Sequence, residues 1–166
     1  RLVKRVSETV LHTEFGEFRA LLYSSPIDPS LHLALVRGEP AGQQGVLVRM
    51  HTCCTFGDVF GSTECDCRKL LRASLERIAA EDSGVLVYLH HSGPPAVAML
   101  NPHGRGEGAE TSSAGRRLPQ YESGIGAQIL SDLGLHTIRL LTNHPRRVVA
   151  LRAFGITIME QIPVAV

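Results

Sequence analysis

Along the first fifty positions apolar and polar residues alternate in short bursts, the two-residue period of half-buried strands. "EFRALLY" (17–23) and "HLALVRG" (32–38) read as strands joined by the turn-forming "SSPIDPS", and "GVLVRMH" (45–51) reads as a third. From Cys67 the period lengthens. Leu70, Leu71, Leu75 and Ile78 recur at helical spacing, with Arg68, Arg72, Glu76 and Arg77 on other faces, which predicts an amphipathic helix. The apolar run "GVLVYLHH" (84–91) predicts a buried strand. Residues 92–119 carry "SGPPA", "NPHGRGEG" and "TSSAGRRLP" and predict loop. "IGAQILSDLG" (125–134) returns to helical period and stops at Gly134, and "TIRLLTN" (137–143) is a strand. Pro145 opens a helix that Gly155 closes, and "ITIMEQIPV" (156–164) is a last strand. Strands first, then strand and helix in alternation, predict one mixed α/β (α+β) domain over residues 1–166, a mixed sheet with flanking helices.

Composition narrows the classes without naming one. A chain of 166 residues can bury about two-thirds of its unfolded surface and needs no disulfide to fold. A formal net charge of +1 gives no bulk attraction to nucleic acid or membrane. No apolar run approaches the ~20 residues of a membrane-spanning helix. No secretory signal is visible, so a cytoplasmic location is the expectation.

All four cysteines fall within "HTCCTFGDVFGSTECDCRKLL", residues 51–71. A disulfide framework suits dense cysteine usage in secreted chains, and adjacent Cys53 and Cys54 make a poor staple. Core thiols are the plain alternative, since free cysteine is often buried. Cys65 and Cys67, however, straddle an aspartate just ahead of a helix, an awkward stretch to bury. Metal binding fits the spacing better: Cys65 and Cys67 can face one ion, and Cys54 can reach it from the end of a strand. Three protein ligands with an open position is a catalytic zinc arrangement, and four is a structural one. Spacing leaves Cys53 or a histidine open as a fourth.

The segment "RMHTCCTFGDVFGSTECDCRKLL" resembles the zinc segment of the GTP cyclohydrolase II family. Arg49, His51, Cys54, Gly57, Asp58, Ser62, Cys65, Asp66, Cys67 and Leu71 stand where that pattern wants them. "GIGAQILSDLGLHTIRLLTNHPRRVVALRAFGITIMEQIP" resembles the family's C-terminal half, and the resemblance runs from about residue 5 to 164. It implies a homodimeric enzyme that opens the imidazole ring of GTP, loses C8 as formate and releases pyrophosphate. It implies Zn(2+) on Cys54, Cys65 and Cys67, activating a water, and Mg(2+) assisting at the phosphates. It also implies nucleotide contacts from Arg49, Met50, His51, Thr52 and Cys53, from Gly93, and from Thr142 and Arg147 on the phosphate side.

The departures from the family pattern are chemical. A glutamate has become Cys53, an arginine Glu64, and the glutamine associated with the guanine edge Leu70. Of the family's E-G-R only Gly93 survives, and its base and nucleophile positions hold Pro119 and Tyr121. Leucine can neither donate nor accept, so a site that read a purine edge loses discrimination. The replacement acid–base candidates are His51, His91, Tyr121 and Glu122, with His90 and His103 as neighbours. Asp58 and Asp66 suit second-shell or Mg(2+) roles, and Asp66 alternatively caps the helix behind it. "HPRR" (144–147) suits a phosphate better than the glycine-rich "GRGEG" (104–108). The sequence therefore predicts a zinc hydrolase cleaving a C–N bond in a nucleotide-like or nucleobase-like ring, with a substrate altered from GTP. The alternative is a non-catalytic zinc protein that binds a nucleotide or regulates a partner.

Overall fold

The computed structural model describes residues 3–26, 29–90, 124–145 and 148–166. In chain order the elements are β1 (Lys4–Thr13), β2 (Gly16–Ser24), β3 (Leu31–Arg37), β4 (Val46–Thr52), α1 (Thr55–Asp58), α2 (Cys67–Ala79), β5 (Gly84–Leu89), α3 (124–132), β6 (Thr137–Leu141), α4 (Val148–Ala153) and β7 (Thr157–Ile162). The strands form one seven-stranded mixed sheet in the order β1-β2-β3-β5-β4-β6-β7. The β1, β2, β3 and β5 pairings are antiparallel, and β5, β4, β6 and β7 run parallel. The predicted mixed α/β class is the observed one.

Period-two alternation sorts each central strand onto two cores. Leu21, Val48, Val87 and Ile138 face one side, under Ile125, Ile129 and Leu130 of α3. Phe18, Leu35, Leu47 and Leu86 face the other, under Ile78 of α2. The predicted helix from Cys67 is therefore α2, and its apolar stripe is the one read from the sequence. Asp66 occupies its N-cap position but makes no side-chain cap. The carbonyl of Asp66 takes the Leu70 N–H instead, at 2.8 Å.

Two elements were not predicted. β1 is exposed along almost its whole length, so neither face leaves an apolar period in "KRVSETVLHT". It exists because its backbone pairs with β2 from Lys4↔Ser24 to Thr13↔Gly16, past one irregularity between Arg5 and Ser7. α1 is a single turn, too short for any period. In the other direction, the strand expected over 84–91 ends at Leu89.

The parallel half of the sheet creates an edge suited to a site. Strand registers such as His51↔Tyr88 and Thr52↔Leu89 bring the carboxyl ends of β4 and β5 together. Open α/β sheets place ligands outside that edge.

Candidate metal centre

β4 delivers alternate side chains to opposite faces, and this divides the predicted substrate contacts. Arg49 and His51 lie on the α2 face. Met50 packs against the α3 core, where its methyl fills the space beside Gly126: a Cβ there would come within 1.7 Å of the Met50 methyl carbon. By the same alternation Thr52 shares the side of Met50. Arg49 is half-buried, and its Nη1 donates to the Leu141 carbonyl at 3.2 Å, tying β4 to the end of β6.

Beyond β4 the chain turns. The Cys53 N–H donates to the Leu89 carbonyl at 2.7 Å, the last rung beside β5. Cys54 is the N-cap of α1, and its sulfur accepts from the Gly57 N–H at 3.4 Å. This turn places the buried Cys54 Sγ 4.0 Å from Cys65 Sγ. The sulfurs of Cys54, Cys65 and Cys67 all lie within 4.8 Å of one another. Among the described residues no other group of three or more His, Cys, Asp or Glu ligand atoms gathers in this way. Cys53, the open candidate for a fourth ligand, stands outside the set. Its Sγ lies 3.9 Å from Thr55 Oγ1.

The set fits zinc on three counts. In a tetrahedral site with Zn–S bonds of ~2.3 Å, sulfurs sit ~3.8 Å apart, close to the observed separation. Gly57 forms the floor of the cradle: a Cβ on it would meet Cys65 Sγ and Cys67 Cβ at 2.8 Å each, and Cys54 Sγ at 3.3 Å. Electrostatics agree. Burial, followed by its cysteine neighbours, pushes the Cys67 thiol well above its ordinary value, and burial also raises Cys54. Three crowded thiols ionise together readily only with a cation among them.

Behind the three thiols lies a buried polar cluster. Asp58, at the end of α1, accepts the Cys54 N–H at 3.0 Å and the Tyr88 hydroxyl at 2.7 Å on Oδ2, while Oδ1 lies 3.0 Å from His51 Nε2. His51 and Tyr88 stack at 5.7 Å, 9° from parallel. Burial works to raise the Asp58 pKa, but His51, the Cys54 N–H and the Tyr88 hydroxyl together hold it below its ordinary value. Burial, then the Cys53 thiol and Asp58, push the Tyr88 phenol well above its usual value. Sequence reading did not find Tyr88. A signal was present: a phenol within the apolar "GVLVYL" needs a partner for its hydroxyl.

The remaining predicted residues fall in two groups. Thr142, at the end of β6, spends its hydroxyl in a local turn, accepting the His144 N–H at 3.0 Å. Its neighbour Asn143 makes two hydrogen bonds to the Val164 backbone, at 3.0 and 2.8 Å. Leu70, which replaces the family glutamine, is a half-buried residue of α2 that packs against the edge of the core. His91, Gly93, Tyr121, Glu122 and Arg147 lie outside the described residues, as do His103 and Pro119.

A mixed α/β sheet with three clustered thiols at the carboxyl edge of its parallel half defines an α/β protein with a candidate metal site, and comparison with known proteins carries this further. A family model described as GTP cyclohydrolase II matches residues 4–163. The chain belongs to the GTP cyclohydrolase II family. It is 42% identical over 170 aligned positions to "Riboflavin biosynthesis protein RibBA" of Bacillus cereus (strain ATCC 14579), spanning 98% of this chain and 43% of the relative. The protein of that name in Bacillus cytotoxicus is 41% identical, over 97% of this chain and 42% of the relative. A solved structure of "RibBX, a two domain 3,4-dihydroxy-2-butanone 4-phosphate synthase from A. baumannii" aligns over 100% of this chain and 41% of that one, with a TM-score of 0.65 and 28% identity. The chain thus spans less than half the length of these relatives. No described helix is long and apolar enough to cross a membrane.

Proposed function

We propose that this chain is a zinc-dependent hydrolase domain of the GTP cyclohydrolase II type, acting on a C–N bond in the ring of a nucleotide or nucleobase. The observation that carries the proposal is the gathering of Cys54, Cys65 and Cys67 within 4.8 Å, with no fourth ligand among the described residues. Such a set leaves a coordination position for water or substrate. Zinc, when bound, supplies Lewis acidity there, lowering the pKa of water and polarising a ring carbon. Arg49 supplies a fixed positive charge at the same edge, suited to an anionic nucleotide. His51 supplies a buried imidazole beside the ligands. Thr52, Cys53, Gly93, Thr142 and Arg147 complete the proposed substrate contacts, and His91, Tyr121 and Glu122 the proposed acid–base set. The altered positions Cys53, Glu64 and Leu70 support a substrate different from GTP, because a leucine side chain can neither donate to nor accept from a purine edge.

The test is product mass spectrometry after the zinc-loaded protein meets GTP, GMP, guanosine and their pyrimidine counterparts with Mg(2+). A formate-loss product from GTP means that the parent reaction survives, and turnover of another compound identifies a redirected ring hydrolase. A second reading, a zinc-stabilised domain that binds a nucleotide or regulates a partner, draws support from the similar solved structure, which carries the name of a synthase. Cys54→Ser separates the two. A folded variant without turnover makes zinc catalytic; a variant that melts without any wild-type turnover makes it structural. A homodimer is part of the proposal, and light scattering tests it.

A further inference from the structure

His51 is 3% exposed, and its Nδ1 is buried with no hydrogen-bond partner among the described residues. A buried polar atom left unmade costs about 1–3 kcal/mol, so its retention calls for a purpose. The other ring nitrogen shows what that purpose requires. Asp58 Oδ2 already accepts two donors, the Tyr88 hydroxyl and the Cys54 N–H. A carboxylate engaged in this way has no hydrogen to give, so Oδ1 is an acceptor and Nε2, 3.0 Å away, must carry the proton. Tyr88 also lies flat against the imidazole and fixes its plane.

We propose that Asp58 and Tyr88 are the positioning residues of His51, holding its ring as the Nε2–H tautomer so that Nδ1 is a buried acceptor for an N–H or O–H of the substrate. The inference rests on the hydrolase reading only for the word substrate. The tautomer lock follows from the chain alone. Because Asp58 also holds the Cys54 N–H, one carboxylate sets both the acceptor atom and the start of the metal loop. This parallels the acid–histidine logic of hydrolytic triads, where the carboxylate selects the tautomer.

Nitrogen NMR of the histidine rings in the ¹⁵N-labelled, zinc-loaded chain at pH 8 tests the lock, with His51 assigned by its loss in His51→Gln. The expected pattern is a protonated Nε2 and an unprotonated Nδ1. A protonated Nδ1, or an imidazolium at that pH, overturns the proposal. Asp58→Asn gives a second test. The Tyr88 hydroxyl and the Cys54 N–H hold the amide oxygen at the Oδ2 position, which turns the amide NH₂ toward Nε2. Nε2 must then accept, and the proton moves to Nδ1. The expected result is an exchange of the two nitrogen signals with zinc still bound at one per chain. An unchanged tautomer in the folded variant overturns the proposal. If Asp58→Asn does not fold, the wild-type spectrum still decides. Absence of turnover with the expected tautomer overturns the hydrolase reading and spares the lock; turnover with the opposite tautomer does the reverse.

Discussion

Around the antiparallel half of the sheet, charged groups meet near the surface: Arg5 with Asp132, Arg19 with Glu8, and Arg72 with Glu14. At the carboxyl edge of the parallel half, His51 and Asp58 meet at 3% and 4% exposure, with three thiols alongside. The first arrangement leaves its charges in water and asks little of them. The second removes titratable groups from water and crowds them, a cost that folding alone gives no reason to bear. The contrast separates a scaffold from a site.

The contrast breaks most completely at Gly57. The Cβ introduced by Gly57→Ala would overlap Cys65 and Cys67 at 2.8 Å. Cys67 Cβ is fixed to the backbone and cannot swing aside, and Cys65 Sγ can do so only by leaving the thiol cluster, so the cradle must open. Zinc affinity is expected to fall ~100-fold or more, at the upper end of what loss of supporting groups costs a metal site. Competition with a chromogenic chelator measures it. Unchanged affinity would mean that the three thiols are not the metal site.

Next in size is the core that carries the site. Leu86 lies fully buried in the middle strand, on the face shared with Tyr88 and α2. Leu86→Ala is expected to cost 2–5 kcal/mol in urea unfolding, about the usual range for a buried leucine. Val10, 51% exposed on β1, is the control from the other half. Val10→Ala should stay within ~0.5 kcal/mol. Similar costs at the two positions would erase the distinction between centre and edge.

What could be read from the sequence obeys the same division. The central strands and α2 announced themselves because burial imposes a period on them, and Cys54, Cys65 and Cys67 did so by spacing. β1 gave no sign, since an exposed edge strand is specified by its partner's backbone and not by its own side chains. The Asp58–His51–Tyr88 cluster was half visible. His51 and Asp58 are seven residues apart across the turn into α1, but Tyr88 arrives from β5, thirty positions further on, and only the parallel register His51↔Tyr88 joins them. Met50 and Thr52 mark a different limit. A continuous motif suggests a continuous contact, whereas a strand sends alternate members of that motif to different faces.

Tyr23 gives a smaller test with a direction in pH. Its hydroxyl donates to Asp132 Oδ2 at 2.7 Å, joining β2 to α3. Burial first, then Asp132, raises its pKa above the ordinary tyrosine value. A group raised on folding lends stability that is whole below its unfolded pKa, about 10, and declines as pH climbs through the folded one. Tyr23→Phe should cost ~1 kcal/mol at pH 7. The gap from wild type should begin to narrow only above pH ~10. Urea unfolding at the two pH values measures both.

The smallest expected effect is the most diagnostic of the scaffold. Arg72 reaches from α2 to Glu14 and covers the Phe15 ring at 5.4 Å, so on paper it anchors the β1–β2 hairpin to the helix that bears Cys67. Both charges are about half exposed, however, and an exposed pair contributes ~0.2–1 kcal/mol, less as salt rises. Arg72→Ala is expected to lower stability by no more than ~1 kcal/mol and to leave zinc affinity unchanged. A large loss of zinc affinity in a stable variant would show the hairpin and the metal loop to be coupled through α2. The two regions would then be one mechanical unit, and the separation of scaffold from site would have to be redrawn at the helix.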